Sequence, residues 1–68
     1  MTKILLVDDD EHIRESLELY LNEKGYKVIT ASNGSKALFH FNHDKPKIVI
    51  LDIRLPDMDG LEILRQMK

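Results

Sequence analysis

At 68 residues the chain makes at most one domain, 1–68, and a domain this short buries only about 60% of the surface its unfolded form exposes, so its core is expected to be marginal. It has no cysteine, which excludes disulfides and thiolate metal sites; no apolar run approaches the roughly 20 residues that span a bilayer, and the opening MTKILLVDDD turns acidic too soon for a secretory signal, so a cytoplasmic protein without a membrane segment is expected. The net charge of −2 is local, because Asp8, Asp9, Asp10 and Glu11 supply four of the twelve acids and leave ten basic residues against eight acidic ones elsewhere; with no basic patch, direct nucleic-acid binding is not expected.

The first element is the aliphatic run KILLVD, residues 3 to 8, which lacks polar alternation and so reads as a strand covered on both faces. In DDDEHIRESLELYLNEKG, Ile13, Leu17, Tyr20 and Leu21 follow helical spacing, with Asp10 as N-cap and Gly25 as the stop. The stretch YKVITA, residues 26 to 31, alternates partly and suits an edge strand, after which Asn33 and Gly34 turn the chain. Residues 35 to 42 place Ala37, Leu38 and Phe41 on one face of a short helix, and HDKP leads into KIVILD, residues 47 to 52, a second aliphatic run ending in a carboxylate. After DIRLPDMDG, the residues Leu61, Leu64 and Met67 begin a third helix capped near Asp59 or Gly60.

The order β-α-β-α-β-α predicts a parallel sheet with right-handed crossovers and helices on both faces. If Asp8 and Asp52 share a site, the first strand lies beside the third, giving the order 2-1-3 with the more polar second strand at an edge. Carboxylates just past the ends of adjacent strands, about 4.8 Å apart, then gather at the topological switch point, where open α/β sheets bind ligands. Oxygen-only ligands favour a hard ion, and Mg²⁺ tolerates one or two carboxylates with water or substrate phosphate completing its shell. Such an arrangement suits phosphoryl transfer to a carboxylate. Asp10 and Glu11 are read as a helix cap favouring the helix dipole; Asp8, Asp9 and Asp52 together are read as the site.

The motifs ILLVDDDE, YKVITASNGSKAL and IVILDIRLPDMDGLEILRQMK resemble the receiver domain of two-component response regulators along the whole chain. The resemblance implies a flavodoxin-like α/β fold, with this chain truncated before strands 4 and 5. It implies that Asp52 is the phosphoacceptor, receiving a phosphoryl group from a histidine kinase or a phosphotransfer protein. Asp8 and Asp9 match the family's acidic pair, of which the second contacts Mg²⁺ directly and the first mainly through water, and Arg54 would donate its backbone carbonyl to the metal. Pro56 and Gly60 match the family's loop pattern, the first rigidifying the turn and the second permitting a tight approach to the third helix. Family members catalyse their own phosphorylation and dephosphorylation, so no enzyme acting on a separate substrate is expected. The hydroxyl, lysine and aromatic switch residues of the family belong to the half beyond residue 68, and no residue here takes those roles.

A competing expectation is a signalling-incompetent half-domain that mainly self-associates: the third strand would keep an unpaired apolar edge and a bare face where a further helix should pack, and such an edge recruits another strand and makes a homo-oligomer. A metal site at His40 and His43 is disfavoured, since two neighbouring histidines fall short of the three or four ligands zinc takes. Phe39 reads as packing and His12 as a solvated surface residue. A flavin or nucleotide site is disfavoured because the switch-point loop is acidic and lacks phosphate-cradling glycines.

Overall fold

The structure, a computed structural model, describes residues 2–52, 55 and 57–67. Its elements run in the expected alternation: β1 (Lys3–Val7), α1 (Glu11–Glu23), β2 (Lys27–Ala31), α2 (Gly34–Asp44), β3 (Ile48–Leu51) and α3 (Gly60–Met67). The strands form one parallel sheet in the order β2-β1-β3. Lys3 pairs with Lys27 and Val7 with Ala31 on one side, while Ile4 pairs with Ile48 and Val7 with Leu51 on the other.

The central strand explains why its sequence is aliphatic on both faces. Leu5 and Val7 join Ala31 and Ala37 in a buried cluster, against which Ile29, Phe41, Val49, Leu51, Leu55 and Met67 pack from the neighbouring strands, α2, α3 and the loop between β3 and α3. Ile4 and Leu6, pointing the other way by strand alternation, are equally buried, and α1 is the element in contact with β1 and β2 that covers that face. Full burial of each such side chain stabilises the fold by about 1.5–3 kcal/mol. Ile63 of α3 completes the core.

Local chemistry sets the helix boundaries. The Asp10 side chain accepts from the amides of His12 and Ile13 at 2.9 and 3.1 Å, capping α1 as expected. The helix ends through Lys24 into Gly25, whose φ of +93° is a conformation that glycine adopts without a Cβ penalty. Asn33 caps α2 by accepting from the Lys36 amide at 2.9 Å, and Asp59 starts α3 by accepting from the Leu61 amide at 3.1 Å.

Burial departs from full coverage at three places. The third strand has the bare face expected beside its unpaired edge: Val49 and Leu51 turn toward the core, but Ile48 and Ile50 remain 43% and 38% exposed. As an edge strand paired only with β1, β3 lies beyond the reach of α1, which contacts β1 and β2. The apolar stripe of α1 is also only partly used. Leu17 and Leu21 are half-buried whereas Ile13 and Tyr20 are exposed, because two strands are too narrow a floor for the whole stripe. Phe39, expected to pack inside, is exposed and stacks on His43 instead, with ring centroids 5.4 Å apart. Among the described residues no helix is long and apolar enough to cross a membrane.

Candidate functional site

Sheet pairing continues one residue past the strands and thereby builds the site. The Asp8 amide donates to the Ala31 carbonyl at 3.2 Å, and the Asp52 amide donates to the Val7 carbonyl at 2.9 Å. Both acids therefore leave the sheet at its carboxyl edge, on neighbouring strands. Asp9 follows on the turn into α1. Ligand oxygens of Asp8, Asp9 and Asp52 all lie within 4.8 Å of one another, with Asp9 exposed and the other two half-buried. Among the described residues this is the one place where three potential metal ligands converge.

The neighbouring acids divide by geometry. Asp10 turns its side chain into the N-terminus of α1, where its charge also favours the helix dipole. Asp8 is held by two contacts: one carboxylate oxygen accepts from the Asp10 amide at 3.0 Å, and its carbonyl accepts from the Arg14 guanidinium at 2.9 Å. The ion pairs His40–Asp44 and Arg65–Glu62 lie elsewhere on the molecule. Two carboxylates about 4 Å apart repel by about 1 kcal/mol in water and about 4 kcal/mol at the effective dielectric of a protein surface. A small divalent cation would reverse that repulsion. Three hard oxygen donors, one of them open to solvent, fit Mg²⁺, which keeps several waters and takes few protein carboxylates.

Arg54 and Pro56 lie outside the described residues. Gly60 is buried at the start of α3, in keeping with a close approach there. His40 and His43 do not join a metal-binding group; His40 Nδ1 instead lies 2.9 Å from Asp44 Oδ2. That hydrogen bond, partly opposed by desolvation and assisted by the charges of His43, His40 and Lys3, holds the Asp44 carboxyl below its ordinary range.

One residue escaped the sequence reading. Asp57, in the loop between β3 and α3, reaches the N-terminus of α2: Oδ1 accepts from the Gly34 amide at 2.7 Å, and Oδ2 accepts from the Ser35 amide and hydroxyl at 3.1 and 3.2 Å. The Gly34 amide bond, with the two Ser35 bonds, lowers the Asp57 carboxyl below its ordinary value against an opposing desolvation. The only sequence signal for this contact is that α2 begins Gly-Ser-Lys without an acid in its first turn.

Comparison with known proteins decides what this rim belongs to. The response regulator receiver domain family matches residues 4–68. The chain belongs to that family. This receiver domain is 46% identical over 66 residues to the alkaline phosphatase synthesis transcriptional regulatory protein PhoP of Bacillus subtilis, covering 97% of this chain and 28% of that protein. It superposes with a TM-score of 0.93 on the response regulator TrrA of Thermotoga maritima in complex with Mg²⁺-BeF, at 45% identity, covering 98% of this chain and 58% of that one. A structure of the histidine kinase ThkA in complex with TrrA matches with a TM-score of 0.92, also at 45% identity and over 98% of this chain and 58% of that one. The receiver domain described here thus spans just over half of the solved receiver chain and under a third of the curated regulator. The β2-β1-β3 sheet is the flavodoxin-like arrangement of these neighbours.

Proposed function

We propose that this receiver domain takes a phosphoryl group onto Asp52 from a histidine kinase or a phosphotransfer protein, with Mg²⁺ held by Asp8, Asp9, Asp52 and the backbone carbonyl of Arg54. The observation that carries the reading is the convergence of the Asp8, Asp9 and Asp52 carboxylates within 4.8 Å at the carboxyl edge of β1 and β3. Support for the ion comes from the matching TrrA structure in complex with Mg²⁺-BeF, and support for the partner from the matching ThkA–TrrA complex. Arg54 enters on the resemblance of the motif alone.

In the proposed step an Asp52 carboxylate oxygen attacks the phosphorus of a phosphohistidine. The new P–O bond forms as the P–N bond breaks, its electron pair leaves on the imidazole nitrogen, and that nitrogen takes a proton from water. The product is an aspartyl phosphate. Mg²⁺, when bound, supplies neutralising charge for the transferring phosphoryl oxygens. The chain's own residues position the acceptor: the Val7 carbonyl holds the Asp52 backbone, and the Asp10 amide orients the Asp8 carboxylate. Asp9, exposed, leaves a side of the site open to a donor. On this reading the domain is a cytoplasmic phosphoryl acceptor, not an enzyme with a separate substrate.

The chemistry is tested by incubating the chain with acetyl phosphate and MgCl₂ and measuring intact mass. The proposal expects addition of one phosphoryl group to the wild type and none to Asp52→Asn. Equal labelling of both proteins, or no labelling of the wild type, would contradict it.

A second reading rests on a separate observation. β3 is paired on one side only and presents Ile48 and Ile50 beside that free edge, which favours association of two copies. The two readings involve different parts of β3 and are compatible.

A further inference from the structure

We propose that Asp57 is a positioning residue for the carboxylate rim, fixing the loop that follows Asp52 by clasping it to the N-terminus of α2. The inference rests on the functional reading above, since it assigns Asp57 a part in holding the metal-binding loop.

The loop between β3 and α3 carries both Asp52 and the residue expected to offer a backbone carbonyl, Arg54. Its two ends are tied: the Asp52 amide donates to Val7 at 2.9 Å, and the Asp59 carbonyl accepts from the Glu62 and Ile63 amides at 3.0 and 3.1 Å. Between them, Asp57 makes a link across 23 positions of sequence, with both carboxylate oxygens engaged by consecutive residues of α2. This is more than a cap. Asn33 already caps α2 from within its own segment through the Lys36 amide, whereas Asp57 satisfies the two preceding amides from another element. The negative charge at that helix end adds an attraction to the dipole.

Packing makes the clasp close. A Cβ on Gly34 would lie 2.9 Å from Ile63 Cδ1, 2.9 Å from Met58 Sδ and 3.0 Å from Met58 Cβ, so the start of α2 sits directly against the loop and α3. Leu55 packs on the core cluster from the same loop. With Asp57 released, its hydrogen bonds from Gly34 and Ser35 are lost and the loop is less firmly tied to α2. Metal sites depend on such outer partners: removing one costs roughly 10–100-fold in affinity.

The test is a MgCl₂ titration of the full chain followed by amide NMR, comparing the wild type with Asp57→Ala, Asp57→Asn and Asn33→Ala. Asp57→Ala is expected to bind Mg²⁺ roughly tenfold more weakly, in the range for loss of an outer partner. Asn33→Ala, which removes the local cap of the same helix end and not the Asp57 bonds, is expected to keep wild-type affinity. In the wild type the Gly34 and Ser35 amides should respond to Mg²⁺, and that response should vanish in Asp57→Ala. If Asp57→Ala does not fold, Asp57→Asn serves: it keeps an acceptor for Gly34 but turns an NH₂ toward Ser35, and should weaken binding less. Wild-type affinity in the Asp57 variants, or an equal loss in Asn33→Ala, would overturn the positioning role while leaving the Mg²⁺ site intact. A wild type that takes up no Mg²⁺ would remove the site reading and this inference together.

Discussion

The Asp52 amide donates to the Val7 carbonyl at 2.9 Å, and this single bond brings the proposed acceptor beside the acidic turn that follows β1. Because β1 and β3 run parallel in register, the residue after each strand emerges at the same edge. The rim is a consequence of sheet pairing. Replacing Asp52 by Asn keeps the main-chain bond to the Val7 carbonyl and should therefore leave the fold intact. Thermal melts of the two proteins without divalent ions would check this; a large loss of stability would mean that the carboxylate holds the fold together.

The division of labour among the acids predicts opposite behaviour for Asp10. Its side chain accepts from two amides of α1, so Asp10→Ala should cost about 1 kcal/mol of stability while leaving Mg²⁺ affinity close to that of the wild type. Urea unfolding and a Mg²⁺ titration on the same variant separate the two effects.

Two glycines should respond to alanine for different reasons. At Gly34 the new methyl meets Ile63 and Met58 at 2.9 Å, an overpacking expected to cost about 1–3 kcal/mol. At Gly25 nothing lies within 4 Å, but φ is +93°, so the cost is backbone strain of roughly 1–2 kcal/mol. Chemical denaturation should rank both below the wild type, and shrinking Met58 to Ala should partly rescue Gly34→Ala but not Gly25→Ala.

Acid should undo the Asp57 clasp. A carboxyl whose folded value is depressed gives stability that is fully present above its unfolded value, near 3.8, and that fades as pH falls through the lower folded value. Asp57→Asn should therefore be less stable than the wild type at neutral pH, with the difference narrowing below about pH 4. Asp44, lowered chiefly by its bond from His40, contributes an acid-sensitive part in the same window. A constant gap between wild type and Asp57→Asn down to the most acidic condition tolerated would contradict the assignment.

The exposed face of β3 should tolerate charge. Ile50→Lys is expected to change stability by no more than about 0.5 kcal/mol, because the side chain is 38% exposed on an edge strand. Leu5→Ala, at a fully buried position, should cost about 2–5 kcal/mol and threaten folding in so small a core. Sedimentation of the wild type at rising concentration should show association through β3 that Ile50→Lys reduces; a wild type that stays monomeric throughout would remove the second reading.

Much of this molecule is legible in its sequence, for identifiable reasons. Two aliphatic runs ending in Asp mark strands that leave the interior, the partial alternation of YKVITA marks an edge, and the condition that Asp8 and Asp52 share a site selects the order β2-β1-β3 that the sheet shows. Asp10 and Gly25 are legible because capping and left-handed termination are local. What was not legible depends on contacts distant in sequence. The exposure of Ile13 and Tyr20 follows from how much of the sheet lies under α1, and the same apolar stripe would suit a fully covered helix face. Asp57 looks like an ordinary loop acid until the loop and α2 meet across 23 positions. The convergence of Asp8, Asp9 and Asp52 was inferred from topology and appears in the geometry, whereas Arg54 and Pro56 lie outside the described residues.

The most direct measurement is a Mg²⁺ titration of the isotopically labelled chain, read at the amides of Asp8, Asp9 and Asp52. Saturable shifts, largest at these three residues and strongly weakened in Asp9→Ala and Asp52→Asn, are the predicted result. Absence of saturable shifts, or shifts unchanged by removing either carboxylate, would contradict the claim that these acids form a divalent-cation site for phosphoryl transfer.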